Sequence, residues 1–175
     1  MTTPMRRILT RDFFNRPTLV VAEDLIGKFL VRERDGVVSA HRLTEVEAYD
    51  GPKDKASHAH RGRTPRNAVM FGPAGVLYVY VCYGMHDMLN VTTGPDGLPA
   101  AVLIRGVEDI TGPGRLTKAL HITRALDRLP ATKPTGLWFE DRGDPPPRIQ
   151  RTARIGVAYA GPVWSRRRYR FLVKQ

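Results

Sequence analysis

Lys28-Phe29-Leu30-Val31-Arg32-Glu33-Arg34, then Asp35-Gly36, then Val37-Val38-Ser39-Ala40-His41-Arg42-Leu43-Thr44-Glu45-Val46-Glu47-Ala48-Tyr49, is the stretch whose reading decides the fold. The flanking runs read as strands. Asp-Gly between two such runs is a strong hairpin signal, because both central positions of the favoured turn need positive φ. The second strand closes on two carboxylates two residues apart. Side chains alternate along a strand, so Leu43, Glu45, Glu47 and Tyr49 are predicted to share one face. Like charges that close repel, and at least one of the pair is expected to have a partner or a task. A plainer reading stands beside this one: acidic residues on a solvated edge strand, protecting it from aggregation.

Outward from the hairpin the chain stays rich in strands. Upstream, Pro17 at a first-turn position, the apolar set Leu19, Val20, Leu25 and Ile26, and Gly27 as terminator predict a short helix. Downstream, Gly51 to Pro65 is polar and turn-rich. Val76 to Tyr83, Met88 to Thr92 and Ala100 to Arg105 read as strands, and Leu116, Ala119, Leu120 and Thr123 have helical spacing after Gly112-Pro113-Gly114. Leu137 to Phe139, Ile155 to Tyr159 and Tyr169 to Val173 complete the expected strands. Short turns join most of them, which predicts an α+β fold: one mixed domain over 1–175 with a mainly antiparallel sheet.

Composition narrows the function. The chain has 175 residues, 42% of them hydrophobic, enough for a real core, and a net charge of +11. Of its 28 basic residues 22 are arginine, whose planar fork suits phosphate. From Arg142 to the end nine basic residues face only Asp144, a pattern that predicts a phosphate-binding surface. Cys82 is the only cysteine and has no disulfide partner, consistent with a reducing compartment. No apolar signal core follows Arg6 and Arg7, and no run approaches the roughly 20 apolar residues of a membrane helix. A cytoplasmic protein, with no membrane partner, is expected.

Several chemistries lack their motifs. There is no G-x-G-x-x-G, no phosphate loop and no paired C-x-x-C, so no nucleotide cofactor or structural zinc is predicted. His58-Ala59-His60 makes a poor metal pair, having neither a nearby cysteine nor a carboxylate at helical spacing. The aromatic content is more informative. In Leu77-Tyr78-Val79-Tyr80-Val81-Cys82-Tyr83-Gly84-Met85, alternation puts Tyr78 and Tyr80 on one face and Tyr83 on the other, beside a glycine turn. Core packing accounts for many strand tyrosines. An aromatic before Gly84 and Met85 also suits an exposed hairpin tip that wedges into nucleic acid.

These residues carry a family resemblance. Glu45-Val46-Glu47-Ala48-Tyr49 with Gly51-Pro52, Ala56-Ser57-His58, Arg63-Thr64-Pro65-Arg66-Asn67, Met70-Phe71, Leu77-Tyr78-Val79-Tyr80 and Tyr83-Gly84-Met85 resemble the alkyladenine (3-methyladenine, methylpurine) DNA glycosylases. Asn90, Val102-Leu103-Ile104-Arg105, Gly112-Pro113, Ala119-Leu120 and Arg154-Ile155-Gly156-Val157 continue the match in the same order, so it spans about Arg11 to Val173. The resemblance implies a curved sheet, a protruding hairpin for the DNA minor groove, and hydrolytic release of a damaged purine after base flipping. It needs no cofactor. A monomer acting on double-stranded DNA is implied.

Residue by residue, the resemblance implies that Glu47 deprotonates the water attacking the sugar C1′ and that Arg105 helps to hold it. Tyr49 matches one pocket wall, with His58 and Tyr80 as the other. Asn90 lies near the base pocket, where its amide would crowd the exocyclic amino group of guanine. Tyr83 matches the residue that fills the gap left in the duplex, with Met85 beside it in the minor groove. Arg63, Arg66, Arg115 and Lys118 are candidate phosphate contacts. Glu45 is assigned a structural role, paired with an arginine. His86-Asp87 departs from the family's apolar or aromatic pattern and brings an acidic group close to the hairpin tip. The competing reading from another class is a non-catalytic module in which Tyr78, Tyr80 and Tyr83 stack on bases and the arginines track the backbone.

Overall fold

The computed structural model describes residues 5–175. In chain order the elements are β1 (Arg7–Ile8), α1 (Arg11–Phe14), α2 (Thr18–Leu25), β2 (Phe29–Arg34), β3 (Val37–Asp50), β4 (Leu77–Cys82), β5 (His86–Thr92), β6 (Ala100–Val107), β7 (Ile110–Thr111), α3 (Pro113–Ala119), β8 (Leu137–Asp141), β9 (Ile149–Thr152), α4 (Gly161–Trp164) and β10 (Arg170–Val173), with short 3-10 turns between some of them. The strands form one curved sheet in the order β1-β8-β2-β3-β6-β5-β4, with β10 and β9 added beside β3 and β7 beside β6. Its named pairings are antiparallel. This is the α+β architecture expected from the sequence.

β3 is the spine. Its first half pairs with β2 through the Asp35-Gly36 turn, whose residues have φ of 52° and 78°. Its second half is held between β6 on one edge and β10 on the other. Far from being a solvated edge, this half is the centre of the sheet, and Glu45 and Glu47 are both buried.

The ladder between β3 and β6 is interrupted twice. Pairing passes from Leu43↔Val107 to Glu45↔Gly106, leaving Thr44 extra, and then to Val46↔Ile104, leaving Arg105 extra. An extra residue in a strand shifts the register and re-aims nearby side chains. Consequently Leu43 does not share a face with Glu45, Glu47 and Tyr49: it joins Val46 and Ala48 in the main core. That core packs one face of the sheet against α2 and α3, with Val21, Ala22, Leu25 and Leu116 contributing fully buried side chains. Each is worth about 1.5–3 kcal/mol when it is of valine or leucine size. In α2 Val20 is 43% exposed, so the helix turns Val21 rather than Val20 inward.

The opposite face carries one cross-strand row: Tyr78 opposite Asn90, Asn90 opposite Leu103, Leu103 opposite Glu47, and Glu47 opposite Arg170. Directly opposed residues project to the same side, so this row is continuous. Two irregular segments cover it. Residues 51–72 supply Ala59 and Met70 against Tyr78, and residues 153–165 supply Val157 and Ala160 against Tyr49.

The second covering segment corrects the predicted strand Ile155 to Tyr159. Ile155-Gly156 forms a turn, with Gly156 at φ 73°, and Ala158–Ala160 is a 3-10 turn. Tertiary hydrogen bonds from the Ile155 N–H and the Tyr159 hydroxyl hold it in that shape. Conversely β9 lies where no strand was expected, recruited by pairing with β10.

Candidate active site

Glu47 lies in the cross-strand row between Leu103 and Arg170 and is fully buried. Its Oε1 accepts a hydrogen bond from the Tyr49 hydroxyl at 3.0 Å, and its Oε2 accepts one from the Ile155 N–H at 2.7 Å. Arg105 Nη1 stands 3.6 Å from Oε1. Burial raises the pKa of Glu47, against the opposing pull of Arg105, the Ile155 amide, Tyr49 and Arg154. Such a carboxylate accepts a proton more readily than a solvated one, a property suited to a general base.

Arg105 reaches this position from the bulge in β6. Its Nε donates to Glu45 Oε1 at 3.0 Å, and the Arg170 Nε donates to the same oxygen at 2.7 Å. Glu45 therefore has two arginine partners, and Arg105 lies between the two carboxylates whose mutual repulsion the sequence left unexplained.

Beside Glu47 the row opens into a pocket. Tyr49, His58, Tyr78, Tyr80, Asn90 and Tyr159 are among its walls, around a cavity of about 40 Å³, room for water but not for a purine. The His58 and Tyr80 rings are 4.5 Å apart, and His58 Nδ1 lies 3.1 Å from the Tyr78 hydroxyl. Desolvation, helped by Arg66, lowers the His58 pKa and favours the neutral imidazole. Burial pushes the Tyr78 phenol up to about 12 and raises Tyr80 further, so both are neutral. Asn90 is buried and its amide donates to the carbonyls of Tyr78 and Met88, which orients it across the hairpin root. A larger cleft of about 1,020 Å³, between α1, α2 and the Asp141–Ile149 segment, contains none of these residues.

The remaining candidates lie around the rim. Tyr83 is 92% exposed and Met85 is exposed beside it, at the tip of the β4–β5 hairpin. Tyr83 has φ 53° and Gly84 φ 66°, so Tyr83 belongs to the turn and to neither face of β4. Thr117 on α3 donates to the Asp87 carbonyl at 2.8 Å and braces the hairpin close to its tip. His86 is exposed there and packs against Gly114, where a Cβ would lie 2.9 Å from its ring. Arg115 and Lys118 are exposed on the same short helix. Arg63 and Arg66 are exposed too, with Arg66 lying 5.1 Å from the Tyr80 ring centroid and donating to the Val81 carbonyl.

Three contributors had no site role assigned from the sequence, although Arg154 stands in one of the matching motifs. Arg154 and Asp54, one hundred residues apart, form a buried bidentate pair at 2.6 and 2.9 Å. The guanidinium lies 4.8 Å from the Tyr49 ring centroid and 5.0 Å from that of Tyr169. It thus fixes a pocket wall and, through the next residue, delivers the Ile155 amide to Glu47. Burial opposes its charge, but the Asp54 bonds outweigh this and raise its pKa. Tyr159 is the third, 69% exposed, with its hydroxyl donating to the Ala56 carbonyl at 2.7 Å.

The basic C-terminal stretch is also corrected. Arg142 pairs with Glu140, Arg151 with Glu23, Arg154 with Asp54 and Arg170 with Glu45, so four of those nine residues are ion-paired rather than part of a free phosphate-binding surface. Arg166, Arg167 and Arg168 remain exposed next to Trp164 and Tyr169. Among the described residues no group of three or more His, Cys, Asp or Glu is arranged to hold a metal ion, and no helix is long and apolar enough to cross a membrane.

The fold and site together are an antiparallel sheet that buries a carboxylate beside an aromatic pocket, with arginines and an exposed tyrosine at the rim. The chain belongs to the methylpurine-DNA glycosylase family, whose profile matches residues 12–175. It is 46% identical over 173 residues to a candidate 3-methyladenine DNA glycosylase of Anaeromyxobacter sp. (strain Fw109-5), covering 95% of this chain and 89% of that one. Proteins of the same description from Methanocella arvoryzae and Streptomyces avermitilis are 46% and 45% identical, covering 88% and 91% of this chain and 86% of each relative.

Proposed function

We propose that the protein excises alkylated purines, 3-methyladenine foremost, from double-stranded DNA by hydrolysing the N-glycosidic bond and leaving an abasic site. Deaminated and etheno-modified purines form its wider substrate class. The observation that carries this reading is Glu47: a fully buried carboxylate with a raised pKa, joined by its hydrogen bonds to the wall of an aromatic pocket.

In the proposed reaction the nucleotide flips out of the duplex and its base stacks between Tyr49 and the His58–Tyr80 wall. A purine alkylated at a ring nitrogen is cationic, and each aromatic contact adds about 0.5–3 kcal/mol of stacking and cation–π attraction. Glu47 takes a proton from water as the water oxygen bonds to C1′. The electron pair of the glycosidic bond leaves with the base; a cationic alkylated base departs neutral, while a neutral deaminated or etheno purine takes up a proton from water as it leaves, so no covalent enzyme intermediate or metal is invoked. The carboxylate also stabilises the oxocarbenium character of the sugar, as in glycosidases by analogy. Arg105 steadies the water, and the Asn90 amide crowds a guanine amino group.

The free cavity has to widen to admit a base. Tyr159, tied by one hydrogen bond at the solvent edge, is the wall best able to swing aside. Tyr83 and Met85 enter the minor groove and fill the vacated stack, which offsets part of the flipping cost of a few kcal/mol. Exposed basic residues, Arg63, Arg66, Arg115 and Lys118 among them, hold phosphate in a salt-dependent manner. The protein acts as a monomer in the cytoplasm on nucleoid DNA.

The test is incubation with methylated duplex DNA, scoring free purine and alkali-labile abasic sites. Glu47→Gln is expected to bind lesion DNA normally but release base about 10²–10⁴-fold more slowly. Binding without base release by the wild-type protein would favour the stacking-module reading, which leaves a buried carboxylate without a use.

A further inference from the structure

The proposed chemistry gives work to Glu47 and Arg105 and none to Glu45, yet Glu45 is as deliberately placed as either. Its Oε1 receives both the Arg105 Nε and the Arg170 Nε, at 3.0 and 2.7 Å, and its side chain is only 10% exposed. Arg105 stands at the extra position of the β6 bulge, with no partner in β3; its carbonyl accepts from the Gly112 N–H on the other side, but nothing in the ladder aims its side chain, and arginine has many rotamers. Something has to aim it. A charge-assisted hydrogen bond between guanidinium and carboxylate closes to about 2.7–2.9 Å. Arg105 Nη1 instead stays 3.6 Å from Glu47 Oε1, while its Nε is fully engaged by Glu45.

We infer that Glu45 is a positioning residue that holds the Arg105 guanidinium beside Glu47 but off its oxygens, so that Oε1, which already accepts from Tyr49, keeps its other lone pair for water and the arginine is directed at the same water. The inference rests on the assignment of Glu47 as general base. Electrostatics favour the arrangement too. Glu45, Glu47, Arg105 and Arg170 form two opposed charge pairs, whereas without Glu45 both arginines would have one carboxylate to approach. Arg105 would then close onto Glu47 and compete with the water for its proton-accepting oxygen.

Two readouts test this on the intact protein: single-turnover base release, and affinity for a duplex bearing a non-cleavable lesion analogue. Glu45→Gln is expected to slow release about tenfold with affinity within threefold of wild type, because the loss falls on the chemical step. In an Arg105→Gln background the same change is expected to cost nothing further, since the residue it positions is gone. Glu45→Asp retains the charge but is one methylene too short to reach the Arg105 Nε, and it repeats the cycle if the glutamine protein does not fold. Wild-type release by either Glu45 variant, or an equal cost with and without Arg105, would overturn the inference. Glu47→Gln run in parallel separates the two levels. If it retains turnover, the base assignment falls and this inference with it; if it is inactive while Glu45→Gln is normal, only the positioning role is lost.

Discussion

At Asp35-Gly36 and again at Tyr83-Gly84 the chain reverses through two consecutive left-handed residues, with φ of 52° and 78° in the first turn and 53° and 66° in the second. Aspartate suits that conformation, because its short side chain can hydrogen-bond locally. Tyrosine does not, and the left-handed region costs an ordinary residue about 1–2 kcal/mol. Packing recovers none of this at Tyr83, which is 92% exposed. The Asp35 hairpin leads directly into β3, whose far end carries Glu45, Glu47 and Tyr49 in buried, hydrogen-bonded positions. The Tyr83 hairpin holds Tyr78, Tyr80 and Asn90 at its root and leaves an unpartnered aromatic at its tip. One turn only joins strands; the other spends stability to present a side chain to solvent, the pattern expected where strain serves a site.

The largest effect that separates the two hairpins is expected at Glu47. Beyond slowing base release by about 10²–10⁴-fold, Glu47→Gln should leave the melting temperature at pH 7 equal to or above that of wild type. The raised pKa fixes the sign: Glu47's contribution to stability is fully present below the ordinary glutamate pKa and is lost as pH rises through its folded value. As pH rises through that folded value the wild-type protein comes to bear the cost of ionising a buried carboxylate, which glutamine avoids. The same direction predicts a wild-type rate that falls on the acid side at a pH above the ordinary glutamate pKa, measurable as the acid limb of single-turnover release. An acid limb at or below that pKa would contradict the desolvated base.

Next comes the clamp at the end of β3. Asp54 is fully buried and accepts four hydrogen bonds, two from Arg154 and one each from the Asp50 and Ala56 amides. Asp54→Asn leaves the Arg154 charge buried without its partner, at a cost of about 3–5 kcal/mol. The expected drop in melting temperature is about 10 °C for a domain of this size. A protein as stable as wild type would mean that Arg154 finds another partner and is not the element that fixes Tyr49 and the Ile155 amide.

What was legible in the sequence followed the reach of local rules. Asp35-Gly36 marked its hairpin because the turn requirement lies within the two residues themselves, and strand alternation kept Glu45, Glu47 and Tyr49 together. Alternation failed for Leu43, since the Thr44 bulge is set by a partner strand sixty residues away. It failed for Tyr83, which lies outside the strand that the period describes. The Ile155–Tyr159 run has strand-like residues, but Glu47 and Ala56 claim its amide and hydroxyl, and neither tertiary partner leaves a local trace. Arg151, Arg154 and Arg170 read as one basic surface for the same reason: their acids, Glu23, Asp54 and Glu45, stand far back in the chain, whereas the acid of Arg142 is Glu140, just ahead of the run. The pocket residues themselves were found through the ordered family motifs. Spacing alone gives no reason to join His58 to Tyr80, or Arg105 to Glu47.

The smallest expected effect probes the tip itself, and it has two opposite signs in one protein. Tyr83→Asn replaces a strained aromatic with the residue type best suited to a left-handed turn position, and should raise stability by about 1 kcal/mol. That corresponds to about 2–4 °C in melting temperature. The same change removes the wedge, and loss of one base-stacking aromatic costs about 1–3 kcal/mol in capture of the flipped state. A fluorescent base analogue at the lesion reports that capture separately from overall duplex binding, which is expected to change little. Asp35→Asn at the other hairpin is the internal reference: a left-handed position of nearly the same φ, in a two-residue rather than a three-residue loop, with no aromatic to lose, expected to stay within about 0.5 kcal/mol of wild type. If Tyr83→Asn is destabilising while Asp35→Asn is neutral, the ring makes contacts in the free protein and the tip is not strained. If it is stabilising yet captures the flipped base normally, the strain is real but the wedge lies elsewhere on the hairpin, with the exposed Met85 next in line.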